Sequence, residues 1–114
     1  MKKALVVKKQ EDFNRIIKNG NCIKNKNFVI YFEENKNGYD KFGISVGKKI
    51  GKAFLRNRYK RKIRMIIDDY KKVYQNSRNY IIILRKNCLE LSHEEIKISF
   101  FMLMTGQKGA KNEK

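Results

Sequence analysis

The chain has 114 residues, of which 41% are hydrophobic and 34% charged, and a formal net charge of +17. That length suits one domain with a modest core, and the hydrophobic fraction excludes disorder throughout. Such an excess of positive charge in one small fold repels itself, and a bound polyanion relieves the repulsion: nucleic acid first, an anionic membrane surface second.

A coding bias toward Lys, Ile and Asn accounts for part of the lysine excess, but not for the arginines gathered between Arg56 and Arg64. Cys22 and Cys88 lie far apart and lack a C-x-x-C spacing. They are expected as reduced, buried or half-buried thiols of an intracellular protein, not as a metal site or disulfide framework. The start, MKKALVV, is basic, but its apolar run is too short for a signal-peptide core. No stretch approaches the ~18 apolar residues of a membrane span. The expectation is a soluble, cytoplasmic protein without membrane contact.

Residues 1–8 read as a basic arm. From Gln10 to Lys18 the apolar residues Phe13, Ile16 and Ile17 recur at helical spacing, with Glu11 and Asp12 in the first turn, where the helix dipole favours acids. Gly20 suits a left-handed cap ending that helix. Asn21 to Glu34 reads as extended, in two strands if it splits around Asn25. Phe28, Ile30 and Phe32 share one face; Val29 and Tyr31 share the other, so neither is a plain solvent face. Asn37-Gly38 predicts a type I′ hairpin turn leading into a partner strand, Asp40 to Val46. On that strand Phe42, Ile44 and Val46 lie opposite Gly43 and Ser45, whose small size leaves room for a packed helix or a ligand.

Lys48 to Arg64 then carries nine Lys and Arg and no acid. It predicts a turn feeding a helix from about Gly51 to Tyr74. At 100° per residue Leu55, Tyr59, Ile63, Ile66, Ile67 and Tyr70 converge on one arc. Arg61 projects opposite that arc, Asn57 and Arg64 lie on one flank with Ala53 and Lys60, and Arg58 and Lys62 lie on the other. Arg56 borders the apolar arc. Asp68 and Asp69 reverse the charge and mark either a break or a second short helix. Tyr80 to Leu84 is a continuous apolar run, expected as a strand buried on both faces. Strand, long helix, strand is the crossover form of two parallel strands. Arg85-Lys86 closes that strand, and Ser92 and Glu95 form a capping box opening a last helix that buries Ile96, Phe100, Leu103 and Met104. Residues 106–114 are expected to be a flexible tail, leaving 9–105 as the domain.

The acid-free basic helix favours nucleic acid over a solvated face, because ordinary surface helices alternate charge and gain i,i+4 pairs. Arg fits phosphate with a planar fork, Lys acts as a point charge, and Asn57 adds a donor and an acceptor. No helix-turn-helix, zinc framework or heptad zipper is present, whereas a basic helix beside a sheet with aromatics (Phe13, Phe28, Tyr31) suits unpaired strands. A protein active site is hard to assemble: His93 is alone, neither cysteine has an evident base, Asp68-Asp69 and Glu94-Glu95 diverge, and no P-loop or G-x-G-x-x-G occurs. A structural, ribosomal-protein-like RNA binder and a DNA-compacting protein remain alternatives.

The run GISVGKKIGKAFLRNRYKRKIR, Gly43 to Arg64, closely resembles the signature of the bacterial ribonuclease P protein component. Its basic motif matches at Arg56, Asn57 and Arg58, followed by Lys60, Arg61 and Arg64. Glu11-Asp12-Phe13 with Lys18-Asn19-Gly20 resembles the family's first helix, Phe28 to Tyr31 its leader-facing strand and Asn79-Tyr80-Ile81 its last strand, so the likeness covers residues 9–105. It implies an α+β fold, a two-layer α/β sandwich in the order αβββαβα, like domain 2 of ribosomal protein S5. Its four-stranded sheet has a left-handed strand–helix–strand crossover, where general rules favour the right-handed form.

The resemblance further implies the protein subunit of an endoribonuclease, a ribonucleoprotein that removes the 5′ leader from precursor tRNA. Its RNA subunit performs the hydrolysis with Mg2+, and the protein supplies no catalytic residue. The expected partners are that RNA and precursor tRNA, with the protein monomeric outside the holoenzyme. RNA contacts are expected from Lys48, Lys49, Lys52, Arg56, Asn57, Arg58, Lys60, Arg61 and Arg64. The leader is expected in a cleft between the basic helix and the sheet, lined by Phe13, Ile17, Phe28, Tyr31 and Ser45. Ile17 stands where relatives often carry an aromatic, and Gly47 where Ser is common.

Overall fold

The computed structural model describes residues 6, 7 and 9–106. The rest of the expected basic arm, residues 1–5 and 8, and the expected tail beyond 106 lie outside the described residues. Helix α1 (Gln10–Asn19) is followed by β1 (Asn21–Lys24), β2 (Phe28–Glu34), β3 (Lys41–Ser45), α2 (Ala53–Lys71), β4 (Arg78–Leu84) and α3 (His93–Met104). This is the αβββαβα order, with a 3-10 turn before α2 (Lys48–Ile50) and another after β4 (Lys86–Glu90).

Asn25 makes the break between β1 and β2. Its Oδ1 accepts from the backbone N–H groups of Asn27 and Phe28 at 2.8 and 2.9 Å, and its amide donates to Ser99 of α3. The two strands then pair antiparallel. The sheet order is β1-β2-β4-β3, with β2 and β4 antiparallel and β3 and β4 parallel.

This order corrects the hairpin expected at Asn37-Gly38. Gly38 has a positive φ of 84°, but Asn37 does not, so the turn is not type I′. Strand β4 inserts between β2 and β3 because its residues are apolar on both faces and need neighbours on both sides; Ile81 and Ile82 are both fully buried.

The principal core lies between one sheet face and the helices α2 and α3. Phe28, Ile30, Phe42, Tyr80, Ile82 and Leu84 from the sheet meet Tyr59, Ile63, Ile66, Ile67 and Tyr70 of α2 and Ile96, Phe100 and Leu103 of α3. Burial decides the position of α2 despite its crowded cations. Each like-charge i,i+4 contact costs about 0.2–0.5 kcal/mol, whereas each large apolar side chain buried contributes about 1.5–3 kcal/mol. The helix does not break at Asp68-Asp69: Asp69 reaches Lys97 of α3 at 2.9 Å, and Asp68 and Asp69 pair with Lys71 and Lys72. The capping box of α3 is present, with Ser92 N–H donating to Glu95 Oε1 at 2.8 Å and Glu95 N–H to Ser92 Oγ at 3.2 Å.

Helix α1 lies across the second sheet face, where Ile16, Ile81 and Val7 form a smaller core with Phe13, Tyr31 and Ile83. Gly20 is extended (φ −80°, ψ 174°), not a left-handed cap. A glycine is needed there for space: a Cβ would sit 2.5 Å from the carbonyl oxygen of Ile16 and 2.6 Å from that of Phe32. Val6 adds a parallel bridge to Phe42 on the edge of β3. Cys88 is buried and its thiol is pushed up to about 11 by burial, but Cys22 is exposed, contrary to the expected burial of both, because β1 is an edge strand.

Candidate nucleic-acid interface

The pairing register determines what the second sheet face presents. Lys24, Val29, Ile83 and Ser45 form one row across all four strands, and Cys22, Tyr31, Ile81 and Gly43 form the next. Helix α1 covers the second row. A Cβ on Gly43 would stand 2.7 Å from Cζ of Phe13, so the ring of Phe13 fills the space that the small residue leaves. The occupant over Gly43 is therefore a packed helix. The first row stays open: Val29, Ile83 and Ser45 are half-buried and Lys24 is exposed. The result is a trough with an apolar floor, walled by Tyr31 and α1.

The trough opens at the carboxyl ends of β3 and β4, where parallel strands commonly receive ligands in crevices. There the 3-10 turn and the segment after β4 bring Lys48, Lys49, Arg85 and Lys86 around a recess that Ser45 and Ile83 also line. None of these four cations has an ion-pair partner among the described residues. Gly51, with φ 145°, separates this turn from α2, a conformation open to glycine and strained for other residues. Gly47 in the same turn is in ordinary extended conformation and a Cβ there would touch nothing within 4 Å, so its departure from the family's common Ser leaves free space in the recess.

The expected lining residues separate on this geometry. Phe13, Tyr31 and Ser45 face the second side of the sheet, and Ile17, 39% exposed, lies on α1 beside it. Phe28 does not join them. It is fully buried in the principal core, edge-on to Phe100 at 5.5 Å, because its alternation places it with Ile30 and Phe32 under α3. Val29 takes the open face instead. The leader cleft is expected between α2 and the sheet. Among the described residues, apolar side chains fill most of the interface between α2 and the sheet, and a recess remains at the β3 edge lined by Val6, Val7, Phe13, Phe42 and Ile44 with Lys60 and Arg64. The open surface is bounded by α1.

Helix α2 carries a second set of cations, of which Lys60 and Arg64 line the recess that also holds Phe13. Asn57, Arg58, Arg61 and Arg64 are exposed, and Arg56 and Lys60 are half-buried. Lys62 lies over the ring of Tyr59 at 5.0 Å. Lys52 occupies the N-cap without a side-chain capping bond, and the first turn holds no acid to offset the positive end of the helix dipole. On α1, Arg15 is held by Glu33, with Nε–Oε1 at 3.1 Å, and by Asp12 at 2.7 Å. Those bonds keep the Glu33 carboxyl below its ordinary range and lock α1 to β2. That arginine is therefore already engaged, unlike those of α2. Val29, Ile83, Arg85 and Lys86 were missing from the expected set; the parallel pairing of β3 with β4 is what brings the last two to Lys48 and Lys49.

Comparison with known proteins agrees with this fold. The family model described as Ribonuclease P matches residues 1–106. A ribonuclease P protein component of Mycoplasma capricolum is 47% identical over 94 residues, covering 82% of this chain and 86% of that one. The solved structure of the Staphylococcus aureus RNase P protein superposes with a TM-score of 0.84 at 36% identity, covering 93% of this chain and 97% of that one. The RNase P protein of Thermotoga maritima does so with a TM-score of 0.79 at 29% identity, covering 87% and 94%. A match of this span, on the fold just described, makes the chain a member of the ribonuclease P protein family.

Proposed function

We propose that the protein is the RNA-binding subunit of a ribonuclease P ribonucleoprotein and uses two separate surfaces for two RNA segments. The outward face of α2, with Asn57, Arg58, Arg61 and Arg64, binds the catalytic RNA. The trough on the second sheet face holds the single-stranded 5′ leader of precursor tRNA, with its bases against Val29, Tyr31 and Ile83 and its phosphates at Lys48, Lys49, Arg85 and Lys86. Base stacking on exposed rings and cationic tracking of the backbone are the general means by which proteins hold unpaired strands. The observation that carries this reading is the open row Lys24–Val29–Ile83–Ser45, which ends at four cations without an ion-pair partner among the described residues.

Hydrolysis is assigned to the RNA subunit with Mg2+, and the protein contributes positioning. Its side chains neutralise phosphates where two RNA segments converge. In this reading the protein is cytoplasmic and a monomer outside the holoenzyme.

The test is cleavage of precursor tRNA by a bacterial ribonuclease P RNA at low magnesium, with and without the folded protein. Stimulation is expected, together with tighter binding of precursor than of mature tRNA by the reconstituted enzyme. No stimulation overturns the reading. Stimulation with equal affinity for precursor and mature tRNA overturns the leader assignment and leaves a structural RNA binder.

A further inference from the structure

The outward face of α2 is not made of cations alone. Phe54, in the first turn, is 66% exposed, and Met65, three turns on, is 58% exposed. Arg58 and Arg61 stand between them. Offsets of four, seven and eleven residues from Phe54, at 100° each, keep all four within an arc of about 60°. They form one stripe along the helix, with an aromatic ring at its start and two exposed guanidinium groups beyond it.

Among the described residues the stripe has no aromatic or ion-pair partner: Phe54 takes part in no aromatic pair or cation–π contact, and neither Arg58 nor Arg61 has a carboxylate at ion-pair distance. A ring left in water forgoes the roughly 1.5–3 kcal/mol that burial gives it. The surrounding charge selects the occupant. Ala53 to Ile67 contains no acid, so a polyanion is the complementary partner. Within a duplex the flat faces of the bases are already stacked, and a phenyl ring cannot bind phosphate. Only an unstacked base offers that ring a surface. Phe54 and Arg58 are separated by about 6 Å along the helix axis, the scale of a single nucleotide.

We propose that Phe54 stacks on an unpaired base of the bound RNA while Arg58 and Arg61 hold the flanking phosphates. Helix α2 thereby selects a bulge, loop or junction over continuous duplex. The proposal rests on the assignment of α2 to the catalytic RNA made above and adds the feature of that RNA which α2 reads.

The full chain and its Phe54→Ala, Phe54→Leu and Phe54→Trp variants are titrated with a bacterial ribonuclease P RNA across a salt series. Stacking on one base predicts a loss of affinity for Phe54→Ala of roughly 5- to 100-fold. The salt slope should stay unchanged, because no phosphate contact is lost. Leucine should behave like alanine, and tryptophan should restore or exceed wild-type affinity. The wild-type chain has no tryptophan, so fluorescence of the Phe54→Trp variant reports on this position alone and should be quenched on binding. On a fully paired RNA duplex the four proteins should bind alike. Wild-type affinity in Phe54→Ala, full rescue by leucine, or unquenched tryptophan overturns the stacking proposal. Failure of the wild-type protein itself to bind the ribonuclease P RNA overturns the earlier assignment instead. Thermal unfolding of Phe54→Ala should match wild type because the ring is exposed, so an affinity loss is read as a lost contact.

Discussion

Asp40 Oδ1 accepts a hydrogen bond from the backbone N–H of Arg78 at 2.8 Å, tying the residue before β3 to the first residue of β4. The same carboxylate accepts from Asn76 N–H at 3.2 Å and is only 1% exposed. The parallel strands thus start at a common anchor. Asp40→Ala leaves two backbone donors without their acceptor, which should destabilise the fold by about 1–3 kcal/mol. Urea unfolding should show a lower midpoint at constant m-value, and Asp40→Asn, which keeps one acceptor oxygen, should lose less.

Gly43 and Phe13 make the contact that seats α1 on the sheet. Gly43→Ala places a methyl group 2.7 Å from the ring edge of Phe13 and 3.1 Å from Ile81, so the ring must move. Overpacking of this kind costs about 1–3 kcal/mol. Adding Phe13→Leu should recover part of that stability. If the leader lies in the trough, Gly43→Ala should also weaken precursor binding more than mature tRNA binding, since α1 is the trough wall.

The Arg15–Glu33 pair gives the fold an acid limit. Glu33 is held below its ordinary value, chiefly by hydrogen bonds from Arg15, so the folded state binds fewer protons there than the unfolded chain. Its contribution is complete above the unfolded carboxylate value of about 4.5 and is lost as pH falls through the lower folded value. Arg15→Ala should therefore reduce stability near neutral pH and flatten its dependence in that acid window. Thermal unfolding from pH 7 down to the acid limit measures both effects.

Cations on the two surfaces should differ in which RNA they affect. Arg61→Ala should weaken assembly with the catalytic RNA and reduce the salt slope by about one. Lys86→Ala should spare assembly and lower the preference for precursor over mature tRNA. Titrations of each variant against the RNA subunit, and of the reconstituted enzymes against both tRNAs, separate the two. Equal effects from both substitutions on both RNAs would show one continuous surface.

The sequence revealed the elements more fully than their neighbours. Period-two alternation shows that β2 is apolar on both faces, but it does not show which face receives two helices and which receives one. The alternation puts Phe28 and Tyr31 on opposite faces, as the structure does; only the family resemblance and their shared aromatic character group the two as RNA-facing residues. Asn37-Gly38 carries a strong local turn signal, yet the double-sided burial of β4 overrides it, because a central strand gains two neighbours. Arg85-Lys86 was visible as charge and became part of a site only through the parallel register of β3 and β4. The helical elements are plainer, since α2 brings its own periodicity and charge and α3 its own capping box. Gly20 was rightly placed at a helix end, but its reason is a close backbone approach to β2, which no local pattern encodes.

The central position of β4 also constrains synthesis. A nascent chain that has not yet delivered Arg78 to Leu84 holds β2 and β3 with bare edges, both apolar on the face meant for α2 and α3. Exposed edges of this kind are templates for pairing with other chains. A premature stop before β4 therefore leaves no smaller working domain, only α1, α2 and the strands β1 to β3 without the strand that joins β2 to β3. Such a product should be recovered in aggregates or cleared by proteases, and completion of the chain through β4 becomes a condition for a soluble subunit.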